Sequence, residues 1–142
     1  MGNNTRTNGF LSQIAYTVRN SYEDGVSKFS VPITLVVEGQ LISGTMISED
    51  EYFSFDLTSS WKEAYKFIIQ EPRQKYLELP DDEFNEDEFP DYLKQGYIFL
   101  KDAFYVNGDK TIPSTGNKGI PIQVRIADIV AFNFGSISIG ED

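Results

Sequence analysis

Apolar residues in this chain recur at two spacings, and the elements change where one spacing gives way to the other. Phe10, Ile14, Val18 and Tyr22 return every fourth residue with Leu11 and Ala15 beside them, so they share one face of a helix. The pattern predicts an amphipathic helix over residues 9–22, stopped near Asp24-Gly25 and packed by its apolar face on the core. From Val31 the period drops to two. Val31, Ile33, Leu35 and Val37 alternate with Pro32, Thr34, Val36 and Glu38, giving a half-buried strand. Pro32 has no N–H to donate and belongs at an edge or among the first residues of that strand. Gly39-Gln40 turns the chain into Leu41–Ser48, which should pair with the strand before it and bend sharply near Gly44, where a side chain is missing.

Helical spacing then returns. Ser48-Glu49-Asp50-Glu51 is an acid-rich first turn, favourable against a helix dipole. Ser60-Trp61-Lys62-Glu63 has the form of a capping box, and Trp61, Ala64, Tyr65, Ile68 and Ile69 follow on one face, a stripe expected to pack into the core. Pro72 limits this helix unless it kinks or restarts there. Tyr97–Val106 reads as an aromatic and branched strand closed by Asn107-Gly108, and residues 109–119 have loop composition. Ile120, Ile122, Val124 and Ile126 alternate again; Asp128 marks a turn; Val130, Phe132 and Phe134 form a last strand whose pattern Ile137 and Ile139 continue.

A chain of 142 residues suits one domain, here with a polar N-terminus (residues 1–8) expected to fray and a helical and acidic insertion over residues 49–95. Cysteine and histidine are absent, which removes disulfides, thiolate nucleophiles, imidazole bases and the usual zinc ligands together. Asp102, Asp109 and Asp128 lie near strand ends, where carboxylates normally serve turns and not acid–base chemistry. Neither Gly39 with Gly44 nor Gly116 with Gly119 sits in the strand-to-helix context of a phosphate loop. No catalytic residue, cofactor site or small-molecule substrate is expected. The opening 30 residues contain no apolar stretch of signal-peptide length and no 18-residue apolar run occurs, so a cytoplasmic location is expected.

Charge separates one segment from the rest. The net charge is −10, and Glu78–Tyr92 holds 8 of the 22 acids and no base, leaving 14 acids against 12 bases elsewhere. This run lacks the alternating ligands and central glycine of a calcium loop. It reads as a solvated segment with two aromatic anchors, and its candidate partner-binding residues are Asp81, Asp82, Glu83, Phe84, Glu86, Asp87, Glu88 and Phe89. Without a basic stripe, nucleic acid is not an expected partner, and the first helix lacks the Lys and Arg clustering of a membrane-surface helix.

Several segments carry a resemblance. In VEGQLISGTMISEDEYF the residues Gly39, Ile42, Ser43, Gly44, Met46, Ile47, Ser48, Tyr52 and Phe53 fall on one pattern. Ile98, Leu100, Lys101 and Ala103 in YIFLKDAFYV, Gly108-Asp109 with Pro113 to Gly116, and Arg125, Ile126, Ala127, Val130, Phe132, Gly135 and Ile137 continue it. Over roughly half its length the chain resembles the gas vesicle accessory protein U family. That resemblance implies a non-enzymatic accessory role around gas vesicles, the protein-shelled flotation organelles of some bacteria. The helix, the bent sheet and Leu100-Lys101-Asp102-Ala103 also look like an Sm-like barrel, which forms rings through its edge strands. The expected fold is therefore α+β, a small, strongly bent antiparallel SH3- or Sm-like barrel with an N-terminal helix and the 49–95 insertion. A protein partner or self-association is the expected mode of action. The alternative is an acidic inhibitor or DNA mimic that occupies a basic site on a protein.

Overall fold

A computed structural model of the protein describes residues 9–23, 26–80, 82–83, 96–114 and 119–135. Residues 1–8, and the continuation of the last strand at Ile137 and Ile139, lie outside the described residues. The first helix, α1 (Gly9–Asn20), buries Leu11, Ala15 and Val18, one residue from each successive turn. It ends two residues earlier than its apolar spacing predicts. Ser21 takes over there: its hydroxyl donates to the carbonyl of Val18 at 2.7 Å and accepts from the Phe29 amide at 3.1 Å, so a side chain satisfies the helix end. Beyond it β1 (Tyr22–Glu23) and β2 (Val26–Ser27) pair as a short hairpin.

The body is a six-stranded antiparallel sheet. Its strands are β3 (Val31–Val37), β4 (Gln40–Ile47), β5 (Tyr97–Asn107), β6 (Lys110–Ile112), β7 (Ile120–Arg125) and β8 (Ile129–Phe134). Neighbours run β6-β5-β4-β3-β8, and β7 also pairs with β5. One edge of β5 meets β4; the other is shared, with β7 along Tyr97–Ala103 and β6 along Tyr105–Asn107. Pro32 is the second residue of β3, where its carbonyl accepts from the Gly135 amide at 2.8 Å as β8 departs.

β4 pairs with β3 in unbroken register through Gly44, where a bend was expected, and the irregularity lies in β5 beside it. The register against both neighbours slips at Asp102, which adopts a left-handed φ of 52° and adds one residue to β5. The slip changes which residues face inward, from Ile98 and Leu100 before it to Ala103 and Tyr105 after it. Asp102 is thus a bulge residue, not a member of an uninterrupted alternation. The bulge also brings the β5 backbone close to both flanking chains. A Cβ on Gly44 would lie 2.8 Å from the Ala103 Cβ, and one on Gly119 would lie 2.2 Å from the Asp102 carbonyl carbon, so each side of the bulge requires glycine.

The sheet does not close into a barrel. β7 and β8 are joined by the 3₁₀ turn Ile126–Asp128, yet they pair with β5 and β3 respectively, and no ladder joins them among the described residues. In that turn the Ile126 amide donates to Gly96 O at 2.8 Å, and Arg125 forms a fork with Asp128 at 3.0 and 3.1 Å, which carries the chain from one side of the sheet to the other. The α+β class is the one expected, but in place of an SH3- or Sm-like barrel stands an antiparallel sheet that is not closed into one. Its two faces carry two cores. Leu11, Ala15 and Val18 of α1 cover Ile33, Leu35, Ile42, Met46, Ile98 and Leu100 on one face. On the other, Ile47 and Phe99 pack with Tyr52 and Phe53 from the segment between β4 and β5.

Candidate protein-interaction site

That second core seats the insertion. Ser48 closes β4 and caps α2 (Glu49–Tyr52), its hydroxyl accepting from the Glu51 amide at 3.1 Å. The cap forms at Ser48, which has the same Ser-x-x-Glu spacing as Ser60. At Ser60 the chain makes only a 3₁₀ turn, Ser59–Trp61, without a side-chain cap. The helical path then runs through α3 (Lys62–Tyr65), a π-turn (Lys66–Gln70) and α4 (Glu71–Leu77). Pro72 falls in the first turn of α4, where its missing N–H costs nothing in the ladder because the wider π-turn precedes it. The helix restarts at the proline rather than ending there.

Glu49 holds this path to the sheet. It is 2% exposed and carries a charge, which is tolerated only if partners surround it. Three side chains from three consecutive stretches of the insertion donate to it: Tyr65 Oη at 2.7 Å, Gln70 Nε2 at 3.1 Å and Arg73 Nη2. Gln70 also reaches Asp50 at 3.0 Å. Burial, then the Glu49 charge, push the Tyr65 hydroxyl far above its ordinary range. Burial works against the Arg73 charge, but Glu49 outweighs it and raises the guanidinium's pKa. Arg19 of α1, stacked 5.0 Å over Tyr16, is lowered by burial and by the charge of Arg73. Nearby, Lys101 of β5 pairs with Glu51 at 2.9 Å.

The Tyr65 ring meets Phe53 at 4.5 Å and Phe99 at 6.2 Å, completing an aromatic cluster in which Tyr52 lies 4.9 Å from Phe99. The rest of the expected core stripe does not follow it inward. From Ser59 to Leu77 no residue is buried; Trp61 is 66% exposed, Phe67 74% and Ile68 53%. The stripe Trp61, Ala64, Ile68 and Ile69 forms instead one wall of a groove of about 420 Å³ whose floor is Tyr52, Phe53 and Tyr65. Gln123 of β7 contributes its polar edge. The correction has a plain cause: the sheet face beneath is already filled by Tyr52, Phe53 and Phe99, so a single ring, Tyr65, is all that the helix inserts.

Of the acidic candidates, Asp82 and Glu83 lie in an exposed turn just past α4, the Glu83 amide donating to Pro80 O at 2.8 Å. Asp81, Phe84, Glu86, Asp87, Glu88 and Phe89 lie outside the described residues. Asp102, Asp109 and Asp128 fall in a bulge, a hairpin turn and a 3₁₀ turn respectively. Among the described residues no cluster of three or more acidic, His or Cys side chains could hold a metal, and no helix is long and apolar enough to cross a membrane. Glu49 was not distinguishable in the sequence from other helix-start acids; the Ser48-x-x-Glu51 cap was the available signal. A family model described as "Gas vesicle protein GvpU-like" matches residues 13–137. No curated protein matches the chain significantly, and neither does any solved structure.

Proposed function

This chain belongs to the GvpU-like gas vesicle protein family, and from that premise we propose a non-enzymatic accessory protein that works in the cytoplasm, at gas vesicles, through contact with other proteins. The observation that carries this reading is the insertion helix. Across nineteen consecutive residues, Ser59–Leu77, none is buried as a whole residue: Tyr65 and Arg73 turn toward their own protein, while Trp61, Phe67 and Ile68 are displayed to solvent. Exposed aromatic and aliphatic groups gathered on one element mark interaction surfaces in soluble proteins. The acidic residues that follow, Asp81, Asp82, Glu83, Glu86, Asp87 and Glu88 with Phe84 and Phe89, belong to the same contact in this reading, steering the encounter and selecting the partner's charge.

Self-association is a second mode with its own support. β8 has no strand on its outer edge among the described residues, and it exposes Val130 and Phe134, the latter set edge-on to Phe10 at 6.2 Å. The family match lends nothing to an acidic inhibitor or DNA mimic. Flotation tests the reading: in cells that make gas vesicles, tagged protein should rise with the buoyant layer during low-speed centrifugation. Protein that stays wholly in the liquid below, or that turns over a small substrate, would contradict it.

A further inference from the structure

The direction of a single hydrogen bond shows which backbone groups of β8 are left over. The Gly135 amide donates to Pro32 O, so Gly135 faces β3, and backbone groups alternate sides along an antiparallel strand. Asn133 and Ala131 therefore face β3 as well, while the N–H and C=O of Phe132 and Phe134 point away from the sheet and meet no strand among the described residues. The ladder to β3 is regular from Ala131 to Phe134 and slips only at Val130. We propose that this edge pairs with the same edge of a second copy, antiparallel about a two-fold axis at Asn133, so that Phe132 of each copy exchanges both of its backbone hydrogen bonds with Phe134 of the other. The proposal rests on the self-association mode of the accessory-protein reading and names the contact.

Three observations select a second copy as the occupant. A two-fold axis at Asn133 sets like side chains together, Phe132 opposite the copy's Phe134 on the α1 face and Asn133 opposite the copy's Asn133 on the other. Aromatic cross-strand pairs stabilise sheets, and two side-chain amides donate to and accept from each other. The rings beside this edge are also open. Phe134 is 50% exposed and meets Phe10, 63% exposed, edge-on at 6.2 Å, and Phe132 lies 5.5 Å from Phe134 on its other side. Pairing brings two such patches together and covers both. Charge is the third observation. In a chain of net charge −10, Gly9–Asn20 and Ile129–Gly135 carry one charge, Arg19, and neither a lysine nor a proline guards the strand, the devices that keep natural edges apart. The insertion, which holds most of the acids, is anchored at the end of β4 and on β5. From β4 across β3 and β8 to the copy's β4 is about 24 Å, roughly three Debye lengths at physiological salt, so the two anchor points do not repel strongly.

Light scattering on the full chain between about 2 and about 200 µM should show the mass rise from 16.1 kDa toward twice that value. Asn133 is exposed, so Asn133→Lys leaves the fold intact, sets two like charges across the axis and should weaken association about fivefold or more. Asn133→Asp should weaken it for the same reason. Mixed together, the Lys and Asp variants should form a heterodimer at least as tight as the wild-type pair, an outcome that a general loss of stability does not give. By NMR, the Phe132 and Phe134 amides should be protected from exchange in the dimer and lose that protection in Asn133→Lys, while the residue 133 amide, bonded to β3, stays protected in both.

A wild type that stays at 16.1 kDa over the whole range would overturn the proposal. So would an Asn133→Lys variant that associates as wild type does, or Lys and Asp variants that fail to pair. A monomer whose Phe132 and Phe134 amides are nonetheless protected would overturn it as well, because another stretch of the same chain would then cover the edge. Flotation keeps the accessory role separate. If Asn133→Lys is monomeric and still rises with the vesicles, the pairing and the accessory role both stand; if wild type dimerises through β8 but never rises, the accessory role falls and the pairing stands.

Discussion

Replacing Glu49 by glutamine should release the insertion helix and leave the sheet folded. The substitution keeps the size of the side chain and removes its charge, so Arg73, whose side chain is 11% exposed, loses its counter-ion. Breaking a buried pair costs about 3–5 kcal/mol, reduced here to about 2–3 because the Arg73 head can reach water along the helix surface. Arg19 makes matters worse, since its charge already opposes that of Arg73 and Glu49 is what offsets them both. The loss falls on an element that is otherwise held mainly by the Tyr65 ring. Short helices without tertiary packing are marginal in water. An opening free energy lower by about 2–3 kcal/mol corresponds to amide exchange roughly thirty- to a hundred-and-fiftyfold faster. Hydrogen exchange read by mass spectrometry should therefore show that loss of protection over residues 62–77, with β3, β4 and β5 unchanged. Adding Arg73→Met, which removes the stranded charge, should restore part of it. Unchanged protection over residues 62–77 in Glu49→Gln would refute the idea that Glu49 anchors the insertion, and uniform loss across the sheet would refute its local action.

Three further outcomes follow from the same structure. Gly119→Ala should lower the melting temperature more than Gly44→Ala, because its Cβ meets immovable backbone at 2.2 Å whereas the contact at Gly44 begins with a side chain; a cost of about 2 kcal/mol or more, read by thermal denaturation, is expected for Gly119→Ala. The neutral form of Tyr65 is favoured in the folded protein by burial and by Glu49, so its contribution to stability is complete below the ordinary tyrosine pKa of about 10 and is lost as pH rises beyond it; urea titrations across that range should show an alkaline decline that Tyr65→Phe reduces. Shortening Glu78–Tyr92 to a Gly-Ser linker should leave the melting temperature within about 10 °C, since closing a surface loop of different length costs little.

Much of the sheet was legible because strand periodicity depends on one local fact, which face is buried. The β3–β4 hairpin, the alternation of β7 and the turn at Asp128 all follow from it. Barrel closure was not legible, for it depends on whether β7 and β8 meet, a relation between elements that no local pattern encodes. The bulge at Asp102 left a readable trace in the shift from Ile98 and Leu100 to Ala103 and Tyr105. Helical spacing identified the Trp61–Ile69 stripe, but an apolar face says only that something covers it. Here Tyr52, Phe53 and Phe99 had already filled the sheet beneath, and the stripe turned into the wall of a groove. Glu49 was the least visible, because a buried acid with three donors looks in sequence like any acid at a helix start.

Where the protein touches a vesicle decides whether the insertion carries its function. Hydrogen exchange of the protein with and without purified gas vesicles measures that contact along the whole chain. Protection is expected across residues 57–69, where Trp61 and Ile68 line the groove, with the α1 face of the sheet unaffected. Protection confined to β8, or none at all on saturating vesicles, would contradict the assignment of function to the insertion.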